Sequence, residues 1–389
     1  MLVEKSIQII GGKKLTGTIE VSGAKNAVLK QMILPILSEG VYKIENVPDI
    51  ADVYYMQEVL DVLGITSKLD DKTLEINSPS DISVEAPYEV VQKMRASIIV
   101  LGPLLARKGE AKIAFPGGDQ LGPRPVKMHI EALEKMGAKF ELDHGVLIGK
   151  TDGLKGVEIN LPYASVGATE NTILAAVLAD GTTIIENAAR EPEIEDLSKC
   201  LIKMGAKIEG HGTKTIHVQG VTKLKKAEHE IISDRIVAGT YIIAALMLNS
   251  SLEIKNFNTI YLKSLINILI KMGAKLKVSK NSIKIFKGSK LKSTSLSTSP
   301  YPGFPTDLQA QLMALLCLSD GDSKIKETIF ENRFMHVPEL NRLGANITVE
   351  KDTATIIGNQ TFKGAQVMAS DLRASISLVL AAMNADGQT

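Results

Sequence analysis

Cysteine is scarce in this chain and poorly placed for the chemistry cysteine usually performs. Only Cys200 and Cys317 occur among 389 residues, each inside an apolar, helix-like run. That excludes a disulfide framework and favours a reducing compartment. Neither thiol stands at a metal or redox spacing, and the six histidines, at 129, 144, 211, 217, 229 and 336, form no ligand pair at helical spacing. No metal site is expected. A global electric field is missing as well, because 45 lysines and arginines against 44 aspartates and glutamates leave a net charge of +1. Nothing in that balance attracts nucleic acid or an acidic membrane, so any anion site must be local. The richest basic run, Lys275 to Lys292, alternates lysines with Leu276, Val278, Ile283 and Ile285 and reads as a solvated hairpin face. Long apolar runs are also absent. The longest, Ile236 to Leu248, contains Gly239 and Thr240 and is too short to span a bilayer, and Met1 to Ile10 lacks a secretory apolar core. The expected protein is soluble and cytoplasmic, with no nucleic-acid partner and no membrane insertion. Its oligomeric state is left open.

What the chain has instead is a repeat. Leu63-Gly64-Ile65, Met136-Gly137-Ala138-Lys139, Met204-Gly205-Ala206-Lys207, Met272-Gly273-Ala274-Lys275 and Leu343-Gly344-Ala345-Asn346 put their glycines 73, 68, 68 and 71 residues apart. So regular a spacing marks structural units. Each glycine follows an amphipathic run, such as Val126 to Met136 or Ile194 to Met204, and fits the residue that ends a helix. Upstream in each period lies an apolar helix rich in small residues: Asn26 to Ser38, Ala96 to Ala106, Ala168 to Ala179, Ile236 to Leu248, Leu308 to Leu318 and Leu372 to Met383. Short strands join the two helices, as in Val41 to Glu45, Ala111 to Phe115, Thr182 to Glu186 and Leu252 to Lys255. Alternating segments such as Lys207 to Glu209 and Thr215 to Val218 follow.

The predicted fold is α/β, with the apolar helices buried. Two domains of roughly 200 residues are expected for this length. Their bounds follow the repeats: residues 23–231, carrying a loop at 116–125, and residues 1–22 joined to 232–389. Six first helices but five second helices occur, and a further period of about 70 residues would put the next glycine at roughly position 414. The sixth unit is therefore expected to be incomplete, lacking a strand, a helix and a closing strand.

The loop Pro116-Gly117-Gly118-Asp119-Gln120-Leu121-Gly122-Pro123-Arg124-Pro125 stands apart from this scheme. Its three glycines and three prolines shape a loop rather than a helix or strand, and it lacks the glycine-lysine-serine/threonine ending of a P-loop. The starts of the apolar helices also share a chemistry. Serine, threonine or aspartate supplies a cap, with Thr306 and Gln309 at capping-box spacing. Lys25, Arg95, Arg235 and Arg373 add cations where the helix dipole is positive, a placement that costs about 0.3–1 kcal/mol each. A cost that recurs is explained by a shared anionic ligand, phosphorylated or carboxylated, held by exposed N–H groups and cations.

These residues resemble the enolpyruvyl transferases, and within that family the branch acting on UDP-N-acetylglucosamine. The resemblance spans essentially the whole chain. It is carried by Ser22-Gly23-Ala24-Lys25-Asn26, Arg95-Ala96-Ser97, the loop 116–125, Ser165-Val166-Gly167-Ala168-Thr169, Pro300 to Asp307, Phe330 to Leu340 and Asp371-Leu372-Arg373-Ala374-Ser375. It implies two inside-out α/β barrel domains of three repeats each, with ligands in the cleft between them. It implies transfer of the enolpyruvyl group of phosphoenolpyruvate to the sugar 3-hydroxyl through a tetrahedral adduct, with release of phosphate and no cofactor. By the same resemblance Lys25, Asn26, Arg124 and Arg373 contact phosphoenolpyruvate. Arg95, Arg124, Pro125, Val126, Lys127, Met128, Tyr163, Ala164, Ser165, Val166, Asp307 and Ile329 bind the UDP-sugar.

The implied catalytic set is Asp119, Asp307 and Lys25. Asp307 is the candidate base for the hydroxyl, although a first-turn acid also complements a helix dipole. Asp119 stands where many relatives have cysteine. It is either an ordinary turn residue or the proton donor to the methylene carbon, and the second role needs burial or phosphate to raise its pKa. As a carboxylate it is a poor target for epoxides that alkylate the cysteine, so resistance to fosfomycin is expected. An arginine that the family places further along, near the phosphate, has no counterpart here. Two alternatives stand beside the main reading: the shikimate-pathway enolpyruvyl transferase, and a truncated paralogue that binds UDP-sugar and regulates.

Overall fold

The computed structural model describes residues 6–92, 95–114, 126–369 and 372–389, and for 95–97 the backbone only. The loop 116–125, with Asp119, Arg124 and Pro125, lies outside the described residues, as do Ser370, Asp371 and the Arg95 side chain. The five repeated glycines, Gly64, Gly137, Gly205, Gly273 and Gly344, all take positive φ, from 82° to 101°. Each closes a helix: Ala51–Val62, Lys127–Lys135, Pro192–Lys203, Lys263–Met272 or Val337–Arg342. A side chain in that left-handed conformation costs about 1–2 kcal/mol, so the period seen in sequence is a period of helix ends.

Around these helices the described strands form five four-stranded sheets with one wiring. In one of them Glu158–Asn160 runs parallel to Thr182–Glu186, which pairs antiparallel with Thr215–Gln219, whose other neighbour is Lys207–Glu209. Thr215–Gln219 alternates exposed and buried, turning Ile216 and Val218 to the core. The sheet of Gly40–Glu45 takes its parallel edge strand, Glu228–Glu230, from far along the chain. These edge strands correct the simpler order of helix, strand, helix and strands expected above. They are two or three residues long, and Glu85–Ala86 is too short to show any alternation. The basic run forms the hairpin of Leu276–Ser279 and Ser282–Ile285, with Lys277 and Lys284 opposite one another and exposed.

The described residues divide into two compact units, 22–234 and 6–21 with 235–389. Each has its own apolar core, one running from Ala24 to Ile231 and one from Val21 through Ile236 to Ala385. In the first, Ala168 to Ala176 of the helix Val166–Ala176 are all buried. In the second, every residue of Gln309–Cys317 is buried. The apolar helices are more broken than expected. Arg95–Val100 is a 3-10 helix and Leu101–Lys108 an α-helix, where one helix from Ala96 was predicted. Pro103 explains the break, because it has no N–H for the carbonyl four residues back and its ring crowds that carbonyl. Pro35 likewise separates Lys25–Gln31 from the short 3-10 helix Leu34–Ile36.

The sixth repeat begins as its counterparts do. Parallel bridges join Lys155 to Asp180, Lys292 to Asp320 and Lys363 to Asp386, and Ile9 and Thr389 exchange two backbone hydrogen bonds of 2.9 Å. Among the described residues no helix is long and apolar enough to cross a membrane.

Candidate functional site

In the unit 22–234, Lys25 opens the helix Lys25–Gln31 behind Ala24, which has no side chain able to cap. The cap comes from elsewhere in the chain: the Lys25 backbone N–H donates to Asp234 Oδ2 at 3.1 Å. Gly23, two residues before, lies against another segment, since a Cβ there would lie 1.8 Å from the Asn46 carbonyl oxygen. Lys25 Nζ pairs with Asp52 Oδ1 at 3.0 Å, so the cation at this helix start has a carboxylate of the chain itself. Asn26, half-buried, follows it on the same turn.

Ser165 does cap its helix, its Oγ accepting the Ala168 N–H at 3.4 Å. Ala164 and Val166 are half-buried, while Tyr163 is 50% exposed and its phenol is pushed up by partial burial. Of the run that starts the helix Lys127–Lys135, Val126 is half-buried, and Lys127 is exposed and paired with Glu131 at 3.4 Å. The Met128 side chain belongs to the core, at 4% exposure. An open cleft of about 530 Å³ adjoins both segments, lined by Met128, Glu131, Ala132, Asn160, Leu161 and Pro162.

Beneath these helix starts lies a polar network that the sequence reading missed. Lys30 Nζ meets Glu170 Oε2 at 3.1 Å with Glu170 fully buried, and burial pushes the Glu170 carboxyl up to about 7 against the pull of Lys30. Gln31 Nε2 donates to Asp196 Oδ2 at 3.0 Å, and Asp196 Oδ1 lies 2.9 Å from His229 Nε2. Asn171 faces His129 Nδ1 at 3.0 Å. The signal was available: Thr169-Glu170-Asn171-Thr172 is four polar residues inside a helix predicted to be buried, and buried polar groups need partners.

In the unit 6–21 with 235–389, Asp307 sits on the 3-10 turn Thr306–Leu308. Its Oδ1 lies 3.0 Å from Arg333 Nη2 and 3.3 Å from Arg373 Nε. Arg333 is 4% exposed and its guanidinium stands 5.3 Å over the Phe330 ring. Arg333 was not among the predicted site residues, although it stands inside the quoted run Phe330 to Leu340. The capping box expected at Thr306 is corrected. Thr306 Oγ1 donates instead to Glu327 Oε2 at 3.0 Å, because a buried carboxylate outcompetes a helix end for the hydroxyl.

Glu327, 4% exposed, gathers the loop around it. Its Oε1 accepts Thr298 Oγ1 at 2.9 Å, the Ile329 N–H at 2.9 Å and the Phe330 N–H at 3.3 Å. Ile329 itself is 37% exposed. The structure thus brings Asp307 and Arg373 together, and adds Arg333. Lys25 and Asn26 share a helix start in the other unit, with Val126 to Met128 and Tyr163 to Val166 at neighbouring helix starts of that same unit. Cys200 and Cys317 are buried and their thiols are pushed up to about 12 by burial, so neither is a nucleophile here.

The sequence model of the family described as EPSP synthase (3-phosphoshikimate 1-carboxyvinyltransferase) matches residues 9–389. UDP-N-acetylglucosamine 1-carboxyvinyltransferase of Azorhizobium caulinodans is 49% identical over 395 residues, covering 98% of this chain and 92% of its own. The protein of the same name from Lawsonia intracellularis is 50% identical over 381 residues, covering 98% and 91%. Among solved structures, the enolpyruvyl transferase NikO from Streptomyces tendae superposes with a TM-score of 0.89 at 23% identity, over 98% of this chain and 91% of its own. EPSP synthase from Acinetobacter baumannii gives 0.75 at 20% identity, over 98% and 92%. The structural likenesses show the fold, and the sequence matches show more: the chain belongs to the EPSP synthase family of enolpyruvyl transferases and stands with its UDP-N-acetylglucosamine 1-carboxyvinyltransferases.

Proposed function

We propose that this chain transfers the enolpyruvyl group of phosphoenolpyruvate to the 3-hydroxyl of UDP-N-acetylglucosamine, releasing phosphate, as the first committed step of peptidoglycan synthesis. The observation that carries the reading is identity near one half along 98% of the chain to proteins named for that reaction, against 20% to the solved EPSP synthase. That contrast favours the UDP-sugar over shikimate 3-phosphate. In the addition step the sugar oxygen bonds to C2 of phosphoenolpyruvate while its proton leaves and a proton joins the methylene carbon. In the elimination step the bond from C2 to phosphate breaks and the methyl carbon gives up a proton, so that the double bond re-forms. No net electrons move, so the reading requires no redox cofactor.

Each unit supplies part of the residue set. Lys25 and Asn26, with Arg124, contact phosphoenolpyruvate from residues 23–231, and Arg373 does so from 232–389. Arg95, Arg124, Pro125, Val126, Lys127, Met128, Tyr163, Ala164, Ser165, Val166, Asp307 and Ile329 bind the UDP-sugar. Buried Met128 serves through its backbone. Asp307 takes the hydroxyl proton and Asp119 supplies the proton to carbon. Arg333 joins Arg373 beside Asp307, a pair of fixed cations suited to an anionic substrate. We read the repeats as two inside-out α/β barrels and the protein as a cytoplasmic enzyme whose product supports cell-wall growth, cell shape and division.

Phosphate release with phosphoenolpyruvate plus either UDP-N-acetylglucosamine or shikimate 3-phosphate tests the reaction. Turnover with the UDP-sugar is expected. Turnover with shikimate 3-phosphate in its place would overturn the substrate, and saturable UDP-sugar binding by folded protein without turnover would favour a regulator. With aspartate at position 119, fosfomycin is expected to leave the enzyme active and unlabelled. Mass spectrometry showing an adduct on Asp119 would refute that.

A further inference from the structure

The buried amide of Asn171 has both ends determined by its neighbours. Asn171 is fully buried within Val166–Ala176. One end of its amide lies 2.7 Å from the Gly102 backbone nitrogen, and a backbone N–H can only donate, so that end is the oxygen. Gly102 leaves room for it, as a Cβ there would stand 2.4 Å from Asn171 Oδ1. The other end is therefore the NH₂ group. It faces the Ile98 carbonyl at 3.4 Å and His129 Nδ1 at 3.0 Å. An amide NH₂ is a donor, so His129 Nδ1 must accept, and the proton of a neutral ring is then on Nε2.

Neutrality follows from the surroundings. Burial, and Lys30 after it, pushes the His129 imidazole down to about 4. The protonated edge of the ring lies against the start of Val166–Ala176, since a Cβ on Gly167 would sit 3.2 Å from His129 Cε1 and 3.3 Å from Nε2. His129 follows Val126, Lys127 and Met128 directly, and Gly167 follows Tyr163 to Val166. The chain of contacts runs from Gly102 through Asn171 to His129, so three helices share one buried amide.

We propose that Asn171 is a positioning residue that locks His129 as a neutral Nε2–H donor beside the two segments serving the sugar nucleotide. The ligand atom it suits is an oxygen acceptor, a phosphate or hydroxyl of that substrate. The tautomer follows from the contacts alone, whereas its bearing on the UDP-sugar rests on the function proposed above. Exposed cations give an anionic ligand mainly charge. A neutral donor of fixed direction adds orientation with little desolvation penalty.

Long-range proton–nitrogen NMR of the histidine-labelled full chain at pH 7.5, with His129→Gln assigning the ring, reads the tautomer directly. An unprotonated Nδ1 and a protonated Nε2 are expected; a protonated Nδ1 or an imidazolium would overturn the lock. In Asn171→Asp one carboxylate oxygen still accepts from Gly102 while the other replaces the donor at His129. The ring is then expected to take up Nδ1–H. KM for UDP-N-acetylglucosamine should rise about tenfold, the cost of one hydrogen bond, with KM for phosphoenolpyruvate changed less than about twofold. Gly167→Ala displaces the ring without touching Asn171 and should raise the same KM while keeping the tautomer. An Asn171→Asp protein with the native tautomer, or with both KM values unchanged, would overturn the positioning role. The expected tautomer in a protein that shows no turnover of the UDP-sugar would leave the lock standing and overturn only the assigned substrate.

Discussion

Each unit keeps a buried glutamate beneath its candidate ligand residues, and the two are supported in opposite ways. Glu170, in the unit 22–234, meets one ammonium, that of Lys30 at 3.1 Å, and its Oε1 has no hydrogen-bond partner among the described residues. Glu327, in the other unit, meets two hydroxyls and two backbone amides. Burial penalises a carboxylate unless donors replace the lost water. Donor supply therefore sets what each glutamate can do. Glu170 changes charge near neutral pH, between helices that carry Lys25, Asn26, Ser165 and Val166. Glu327 is an acceptor on which a loop is hung, and the loop carries Ile329 and Phe330 and braces the turn of Asp307.

Asp307, the proposed base, gives the largest expected effect, and Glu327 holds its turn through the Thr306 hydroxyl. Asp307→Asn should lower kcat by about 10²–10⁴-fold, the usual range for losing a general base. It should also release Arg333 and Arg373 from their shared partner. Phosphate-release kinetics across pH checks this, and a kcat within threefold of the parent, on the order of 1 kcal/mol or less, would break the assignment.

Glu170 comes next. Its folded-state carboxyl stands near 7 against an ordinary 4.5, so its contribution to stability is fully present below 4.5 and is lost as pH rises through 7. A shift of that size corresponds to about 3 kcal/mol. Glu170→Gln removes the titration. Between pH 5 and pH 8 the variant should gain on the parent by up to that amount in urea unfolding. A difference that is flat in pH, or that moves the other way, would mean Lys30 holds Glu170 ionised and would erase the contrast with Glu327.

Sequence showed those parts of the fold whose chemistry is local. The left-handed helix ends require glycine, so Gly137 and Gly205 announced the repeat, and Ser165 announced its cap. What stayed hidden depends on partners distant in the chain. Lys25 is capped by Asp234, and Thr306 turns to Glu327 rather than to its own helix. Arg333 matters because it meets Asp307, which no spacing reveals. Glu85–Ala86 becomes a strand only through its neighbour Glu110–Ala114, since two residues have no pattern of their own. The polar run Thr169 to Thr172 was visible, and its meaning as a network required the helices that surround it.

Glu327→Gln sharpens the comparison most finely. The substitution keeps shape and burial but turns one acceptor oxygen into a donor. Oε2 faces one hydroxyl, that of Thr306, while Oε1 faces Thr298 Oγ1 and the N–H groups of Ile329 and Phe330. The new NH₂ group will turn toward Thr306, because a hydroxyl can rotate to accept and a backbone N–H cannot. The Thr306 turn then loses some of its hold while the Ile329 loop keeps its own. One weakened buried hydrogen bond costs about 1–3 kcal/mol, so kcat should fall roughly tenfold. KM for UDP-N-acetylglucosamine, which Ile329 serves in the proposed reading, should change little. Glu327→Leu removes both acceptors and should raise that KM as well. Equal losses of kcat and KM in the two variants would show that Glu327 supports the loop as packing alone, and that donor supply does not distinguish the two glutamates.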